Sequence, residues 1–369
     1  MNQQEYEAYR KTDHWQKVRA LALERDGHAC RVCNRTENLD VHHRTYERVG
    51  REDPNDVTTL CSSCHQLFHD AGAEELTVHG MQETINVIYD QLDARQSSED
   101  WSVAGLPTGY IDLDEILAGL QPRTLIIVGA RPSVGKTALV LNLARHICFE
   151  QDRRVLFFTL EQSRIELVER LLCCEARVDL HRLKKGHLSA EDWDRLIKAA
   201  DVARKTSLHF VDSPSQSVES ISVAARKMKV EHGLDLVIVD YLQLLETRRR
   251  FQSREQEVAR ISRSLRRLAN ELTIPIIACS QLNRESEDRI DHQPKLSNLR
   301  ESGALEMDAD IVMLLHRPEM YDPGQHEGTC EVMVAKNRNG PTGEVTLTFL
   351  KQFCRFETFA VEAPFSCES

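Results

Sequence analysis

The tightest constraint on the fold lies about a third of the way along the chain. An apolar run, TLIIVGA (124–130), leads without a spacer into ARPSVGKT (130–137), and from there into ALVLNLARHI (138–147), which reads as a helix. Strand, short turn and helix in that order bring the backbone N–H groups of the turn and of the helix N-terminus to one point, where they can hold phosphate oxygens. The expected nucleotide-binding set is Ala130, Arg131, Pro132, Ser133, Val134, Gly135, Lys136, Thr137 and Ala138. Within it, Lys136 reaches the β and γ phosphates and the Thr137 hydroxyl binds Mg²⁺. Ala130 stands where such loops have their first glycine, with Gly129 just before it; the other reading of the stretch is an ordinary strand–turn–helix.

Further apolar runs follow: RVLFFTLE (154–161), LHFVDS (208–213), DLVIVDYLQLL (235–245), IPIIACSQL (274–282) and DIVMLLH (310–316). Because they do not alternate, they read as strands buried on both faces, hence an α/β fold with a mainly parallel sheet covered by helices. One of those helices starts at Ser253 and buries Val258, Ile261, Leu265, Leu268 and Leu272. TCEVMVAKN and EVTLTFL do alternate, as an antiparallel hairpin at the sheet edge would. The carboxyl ends of parallel strands converge on one crevice. Three strand ends there carry candidates: Asp240 for the Mg²⁺ shell, Glu161 to polarise an attacking water, and Gln281 to sense the γ-phosphate. For Glu161 the alternative is a place beside a helix N-cap at Ser163.

The first 70 residues are of another kind. They are poor in apolar residues but hold Cys30, Cys33, Cys61 and Cys64 in two C-x₂-C pairs, with His28, His42, His43, His65 and His69. That spacing suits a tetrahedral Zn²⁺ held by four thiolates, and a core this small needs such a staple. Of the eleven cysteines, the other seven (Cys148, Cys173, Cys174, Cys279, Cys330, Cys354 and Cys367) are scattered in apolar or helical contexts, as buried thiols are. The chain has 369 residues, and we divide it into a zinc module (1–72), a linker helix and linker (73–104) and the α/β domain (105–369). In the linker, Met81, Ile85, Ile88 and Leu92 form one helical stripe, for which docking on another subunit and core packing are both open. No run of 18 apolar residues or secretory signal occurs, so a cytoplasmic protein without membrane contact is expected. A formal net charge of −11 excludes nucleic-acid binding through a globally basic surface and leaves a local arginine cluster or an interior channel.

From about residue 105 to 359 the chain resembles the RecA-like ATPase domain of bacterial replicative helicases of the DnaB type. The resemblance is carried by LPTGYIDLDEILAGLQP, ARPSVGKTAL, FFTLEQS, VIVDYLQLL, ISRSLRRLANEL, SQLNR, LRESGALEMDADIVML and AKNRNGPTGEV. It implies a homo-oligomeric ring, usually a hexamer, with ATP between neighbours, single-stranded or forked DNA in the pore, and a helicase loader or primase as partner. It also implies that Lys336 and Arg338 reach a neighbour's γ-phosphate, an arginine finger being worth roughly 10³-fold or more in turnover. Arg300, Glu301 and Gly303 would contact DNA. Arg249 and Arg250, with Arg248 and Arg254, resemble a second pore loop or else form a solvated surface.

The N-terminal strings VHHRTY and DPNDVTTLCSSCHQLFH resemble the HNH endonuclease family, a ββα-type zinc-bound fold. By that resemblance His42, His65 and His69 would hold a second divalent metal and His43 would be the general base. Asp56 stands where such motifs often have asparagine. Two roles for the whole chain remain open: a DNA translocase whose module grips or cleaves DNA, or an HNH nuclease effector for defence or recombination whose ATPase ring loads or gates the cutter. A RecA-like recombinase is a third, which LRESGALEMDAD and AKNRNGPTG disfavour.

Overall fold

The computed structural model describes residues 9–32, 35–43, 48–53, 56–62, 64–65, 80–96, 104–213, 216–245, 253–283, 292–322, 324 and 326–360. The chain divides into two compact units, Met1–Asp93 and Ala94–Ser369.

In the first unit, helix α1 (Asp13–Arg25) starts at Thr12, whose hydroxyl accepts the Trp15 N–H. Strands β1 (Leu39–His43) and β2 (Val57–Cys61) pair antiparallel, Leu39 opposite Cys61 and His43 opposite Val57. Trp15, Ala22, Val41 and Val57 form the small apolar core between α1 and the hairpin. Cys30, Leu60, Cys61 and Cys64 form a separate cluster. Helix α2 (Met81–Gln96) follows, with Met81, Ile85 and Ile88 exposed. Core packing and docking on another subunit both remain expectations for that stripe; the Leu92 side chain lies outside the described residues.

The second unit is built on a nine-stranded sheet in the order β11-β10-β9-β8-β3-β7-β6-β4-β5. Its elements in chain order are α3 (Ile111–Leu117), β3 (Leu125–Ala130), α4 (Lys136–Phe149), β4 (Val155–Thr159), α5 (Arg164–Ala176), α6 (Leu180–Lys185) and α7 (Ala190–Ala203). There follow β5 (Leu208–Val211), α8 (Val218–Glu231), β6 (Leu236–Asp240), α9 (Arg254–Leu272), β7 (Ile276–Gln281), α10 (Gly303–Asp308) and β8 (Ile311–His316). The sheet ends in β9 (Thr329–Asn337), β10 (Gly343–Leu350) and β11 (Arg355–Thr358). Strands β8, β3, β7, β6, β4 and β5 run parallel, while β9, β10 and β11 add an antiparallel edge. The sheet is mainly parallel, as the apolar runs indicated.

Strand alternation splits the interior into two cores. Ile126 and Val128 of β3 face the layer of α4 and α5, whereas Leu125 and Ile127 face α8 and α9. The whole of the sequence-predicted stripe of α9, Val258 through Leu272, is buried in the second layer. Its start is set by the Ser253 hydroxyl, which accepts the Gln256 N–H at 3.3 Å. The six described scattered cysteines, Cys148, Cys173, Cys174, Cys279, Cys330 and Cys354, are all buried. Among the described residues no helix is long and apolar enough to cross a membrane.

Candidate active site and candidate metal centre

The register of the parallel strands places the candidates along one edge. Gln281 lies directly across from Ala130, and Asp240 directly across from Thr159, two residues before Glu161. Ala130 is still strand: buried, paired, with its carbonyl accepting from Leu282 N–H at 3.1 Å. Alanine therefore meets no conformational demand there, and the freedom of a glycine is needed five residues later. Gly135 caps α4 at φ 121° and ψ 15°, and a side chain there would stand 3.3 Å from Phe356 Cζ. Ser133 also takes a positive φ, 65°.

Lys136 and Thr137, the first residues of α4, turn toward the end of β6. The Thr137 hydroxyl donates to Asp240 Oδ2 at 2.6 Å, and Lys136 Nζ stands 3.4 Å from Oδ1 and 4.5 Å from the centre of the Tyr241 ring. Asp240 is 1% exposed, and its Oδ1 has no hydrogen-bond partner among the described residues. A buried carboxylate beside a threonine hydroxyl is a hard oxygen donor set, so Thr137 and Asp240 fit Mg²⁺. When bound there, the ion supplies neutralisation of charge on the β and γ phosphates. Burial and the Asp240 carboxylate push the neighbouring Cys279 thiol well above its ordinary range, which keeps it neutral.

Glu161 is exposed just past β4. The helix cap of the alternative reading is present, Ser163 capping α5 in a reciprocal box with Glu166, two residues beyond Glu161. The Gln281 side chain is exposed at the end of β7. Two residues near the site had no signature in the sequence. Gln243 joins the ends of β6 and β7, its amide donating to Ser280 Oγ at 2.9 Å and its Oε1 accepting the Gln281 N–H at 3.3 Å. Arg317, 5% exposed, points Nη1 at the Ser133 carbonyl at 3.4 Å and lies 4.9 Å over the Phe349 ring. Nearby, Arg131 donates to the Leu282 carbonyl at 2.8 Å.

Within the single chain Lys336 and Arg338 are turned inward. Lys336 donates to the carbonyls of Glu306, Met307 and Ala309, and Arg338 to the carbonyl of Met307. Gly303 opens α10 with free space around it; the backbone of Arg300 and Glu301 lies in the preceding 3₁₀ helix, Leu296–Ser302. Arg248, Arg249 and Arg250 lie outside the described residues. Arg254 is folded back on the Gln243 carbonyl at 2.5 Å and on Glu257.

In the first unit, Cys30, Cys61 and Cys64 are buried with their sulfurs within 4.8 Å of one another; Cys33 lies outside the described residues. Thiolates around Zn²⁺, at about 2.3 Å from the ion, sit roughly 3.8 Å apart, so the three fit the metal with little adjustment. His42 and His65 meet at 3.1 Å between Nδ1 and Nε2, and Asp40 Oδ2 is 3.8 Å from His65 Nδ1. His69 lies outside the described residues.

His43 departs from expectation. Successive β1 side chains face opposite ways, so His43 points away from His42 into the core, stacked on Trp15 at 4.5 Å with no exposed side-chain surface. An imidazole so placed has no surface at which to meet the water that a general base must activate. Its Nε2 lies 3.2 Å from Glu52 Oε1. Burial works against ionisation of Glu52, yet Tyr9, the Gly50 N–H and His14 hold its carboxyl down to about 2. Asp56, at the position often taken by asparagine, is buried and bonds Arg48 at 2.6 Å and the Asp53 N–H at 2.8 Å.

Residues 105–358 match the family of the DnaB-like helicase C terminal domain, and residues 30–71 match that of the HNH endonuclease. The chain is 41% identical over 316 residues to the replicative DNA helicase DnaB of Leifsonia xyli subsp. xyli, covering 85% of this chain and 69% of that protein. It is 42% identical over 270 residues to the replicative DNA helicase DnaB of Geobacillus stearothermophilus, covering 73% and 59%. The solved structure of a DnaB-like replicative helicase and its interactions with primase superposes with a TM-score of 0.70 at 32% identity, over 81% of this chain and 71% of that one. A solved ATPase domain gives 0.73 at 34% identity, over 77% of this chain and all of that one. With a RecA-like sheet, a phosphate loop facing a strand-end aspartate, and this similarity over more than two thirds of its length, the chain belongs to the DnaB-like helicase family.

Proposed function

We propose that the chain is an ATP-driven DNA helicase of the replicative DnaB type that works on single-stranded DNA as a ring, a hexamer, with a helicase loader or primase as partner. The observation that carries this reading is the meeting of Lys136, Thr137 and Asp240 at the edge where Glu161 and Gln281 also end. The loop amides and Lys136 orient the triphosphate, Glu161 orients and deprotonates the attacking water, and Gln281 senses the γ-phosphate. Arg338 from a neighbouring subunit stabilises charge that develops only in the transition state, so a lone subunit turns over slowly. An acidic outer surface with a basic pore gives DNA binding that weakens with salt and is largely indifferent to sequence. The test is strand separation on forked DNA with ATP and Mg²⁺, with Glu161→Gln as control. That exposed substitution should leave folding and nucleotide binding intact and slow turnover at least about 100-fold; undiminished DNA-stimulated turnover refutes the assignment.

For residues 1–72 we propose a zinc-stapled HNH module that grips DNA, with 73–104 as the linker that docks on the adjacent subunit. The contact of His42 with His65 favours a second reading, a divalent site at His42, His65 and His69 that cleaves DNA. Incubation with plasmid and Mg²⁺ or Mn²⁺ decides between them: nicking lost in His42→Ala supports cleavage, and its absence in the unaltered protein leaves DNA gripping.

A further inference from the structure

Four consecutive carbonyls at the end of α10 are each taken by a cationic side chain. Lys336 takes those of Glu306 and Ala309, the latter at 2.7 Å; Arg338 takes that of Met307 at 2.5 Å; and Arg266, from α9, takes that of Asp308 at 2.9 Å. The last carbonyls of a helix have no partner within it, and its C-terminus favours positive charge, so this helix end is a natural seat for cations. Here three converge from two separate elements.

The two arginines meet again at Asp310. Arg266 Nη2 stands 3.0 Å from Asp310 Oδ1, and Arg338 Nη1 stands 3.6 Å from the same oxygen. The other oxygen, Oδ2, accepts the Leu125 N–H at 3.0 Å, at the root of the strand that ends in the phosphate loop. The backbone adds to this, with Arg338 N–H donating to the Asp310 carbonyl at 2.9 Å. Arg338 is thus placed in part by the Asp310 carboxylate, which Arg266 holds from behind, and in part by the Met307 carbonyl, whose neighbour, the Asp308 carbonyl, Arg266 takes. Because a guanidinium donates in a fixed planar fork, Arg266 fixes Asp310 Oδ1 and the Asp308 carbonyl relative to each other, and with them the helix end whose Met307 carbonyl receives Arg338.

We propose that Arg266 is a positioning residue for Arg338: it fixes Asp310 and the end of α10 so that the finger is presented in one geometry. Through α10, whose first residue is Gly303, that geometry is tied to the DNA-contact segment. The proposal rests on the functional reading above, in which Arg338 completes a neighbour's nucleotide site.

The experiment measures ATP turnover of the full chain with saturating single-stranded DNA for Arg266→Met, Arg266→Lys, Arg338→Ala and the double variant Arg266→Met/Arg338→Ala, with thermal melting as a check on folding. Arg266→Met should lower kcat about tenfold while KM for ATP stays within about twofold, since the phosphate loop in cis is untouched. Arg266→Lys should recover part of the loss, because an ammonium reaches one of the two acceptors. The double variant should be no slower than Arg338→Ala alone, since Arg266 acts through Arg338. Full turnover in Arg266→Met beside an inactive Arg338→Ala overturns this proposal alone, as does a double variant slower by the whole Arg266 factor. Full turnover in Arg338→Ala overturns the functional reading and this proposal with it. If Arg266→Met lowers the melting temperature, the Arg266→Lys recovery of kcat and the comparison in the double variant still decide.

Discussion

Removing the ammonium of Lys136 should unsettle the chain even with no nucleotide bound. The Lys136 side chain is 12% exposed and that of Asp240 2%, and they stand 3.4 Å apart. At an effective dielectric constant of ~20 their attraction is about 5 kcal/mol before desolvation is counted. Substituting Lys136→Met leaves Asp240 buried with neutral donors, the Thr137 hydroxyl and the Cys279 thiol, but without its countercharge. An uncompensated buried charge of this kind costs about 3–5 kcal/mol. For a domain of this size that corresponds to a fall in Tm of about 10 °C. Scanning calorimetry of the nucleotide-free protein measures it. The double substitution Lys136→Met/Asp240→Asn should recover about 2 kcal/mol or more, because a neutral amide still accepts from Thr137 and no ion is left unpaired. If the double variant melts no higher than the single, the pair is not coupled as the geometry requires and the electrostatic reasoning fails.

Gly135→Ala forces a side chain into φ 121° against Phe356 and should cost about 1–3 kcal/mol and most of the nucleotide affinity; unaltered binding in a fluorescent-nucleotide titration would show that the loop has another conformation. Cys61→Ser, or treatment with a strong chelator, should release zinc and abolish the cooperative unfolding of the N-terminal unit, whereas metal analysis that finds no zinc in the purified protein contradicts the thiolate site. The side chain of Arg25, with the Thr59 hydroxyl and N–H, holds the Asp26 carboxyl down to about 2. A depressed carboxylate stabilises the fold above its unfolded value, and that contribution fades as pH falls through about 2. Urea titrations between pH 5 and pH 2 should therefore show the N-terminal unit weakening with acid, and less so in Asp26→Asn; parallel pH profiles would exclude the linkage.

The phosphate loop, the strand-end carboxylates and the cysteine pairs were legible because each is a local pattern whose chemistry depends on spacing along the chain. Gln243, Arg317 and Arg266 were not, since each acts on residues distant in sequence: Arg317 on Ser133, Arg266 on the end of α10. The four-residue strand β11 was also missed, being too short to carry a period and formed by pairing with β10. His43 shows the converse case. The resemblance to the HNH family marked it as a general base, but strand alternation and the position of Trp15 decide which way the ring faces.

The order of apolar runs, the turn at Gly135 and the four closely spaced cysteines by themselves determined an α/β nucleotide-binding domain and a separate thiol-rich module, since hydrophobic period, backbone freedom and ligand type are properties of neighbouring residues. Tertiary structure alone decided the strand order that brings Asp240 to Thr137, the burial of His43, and the seat of Lys336 and Arg338 on α10. Those depend on which surfaces pack together, and packing is settled among side chains far apart in the chain.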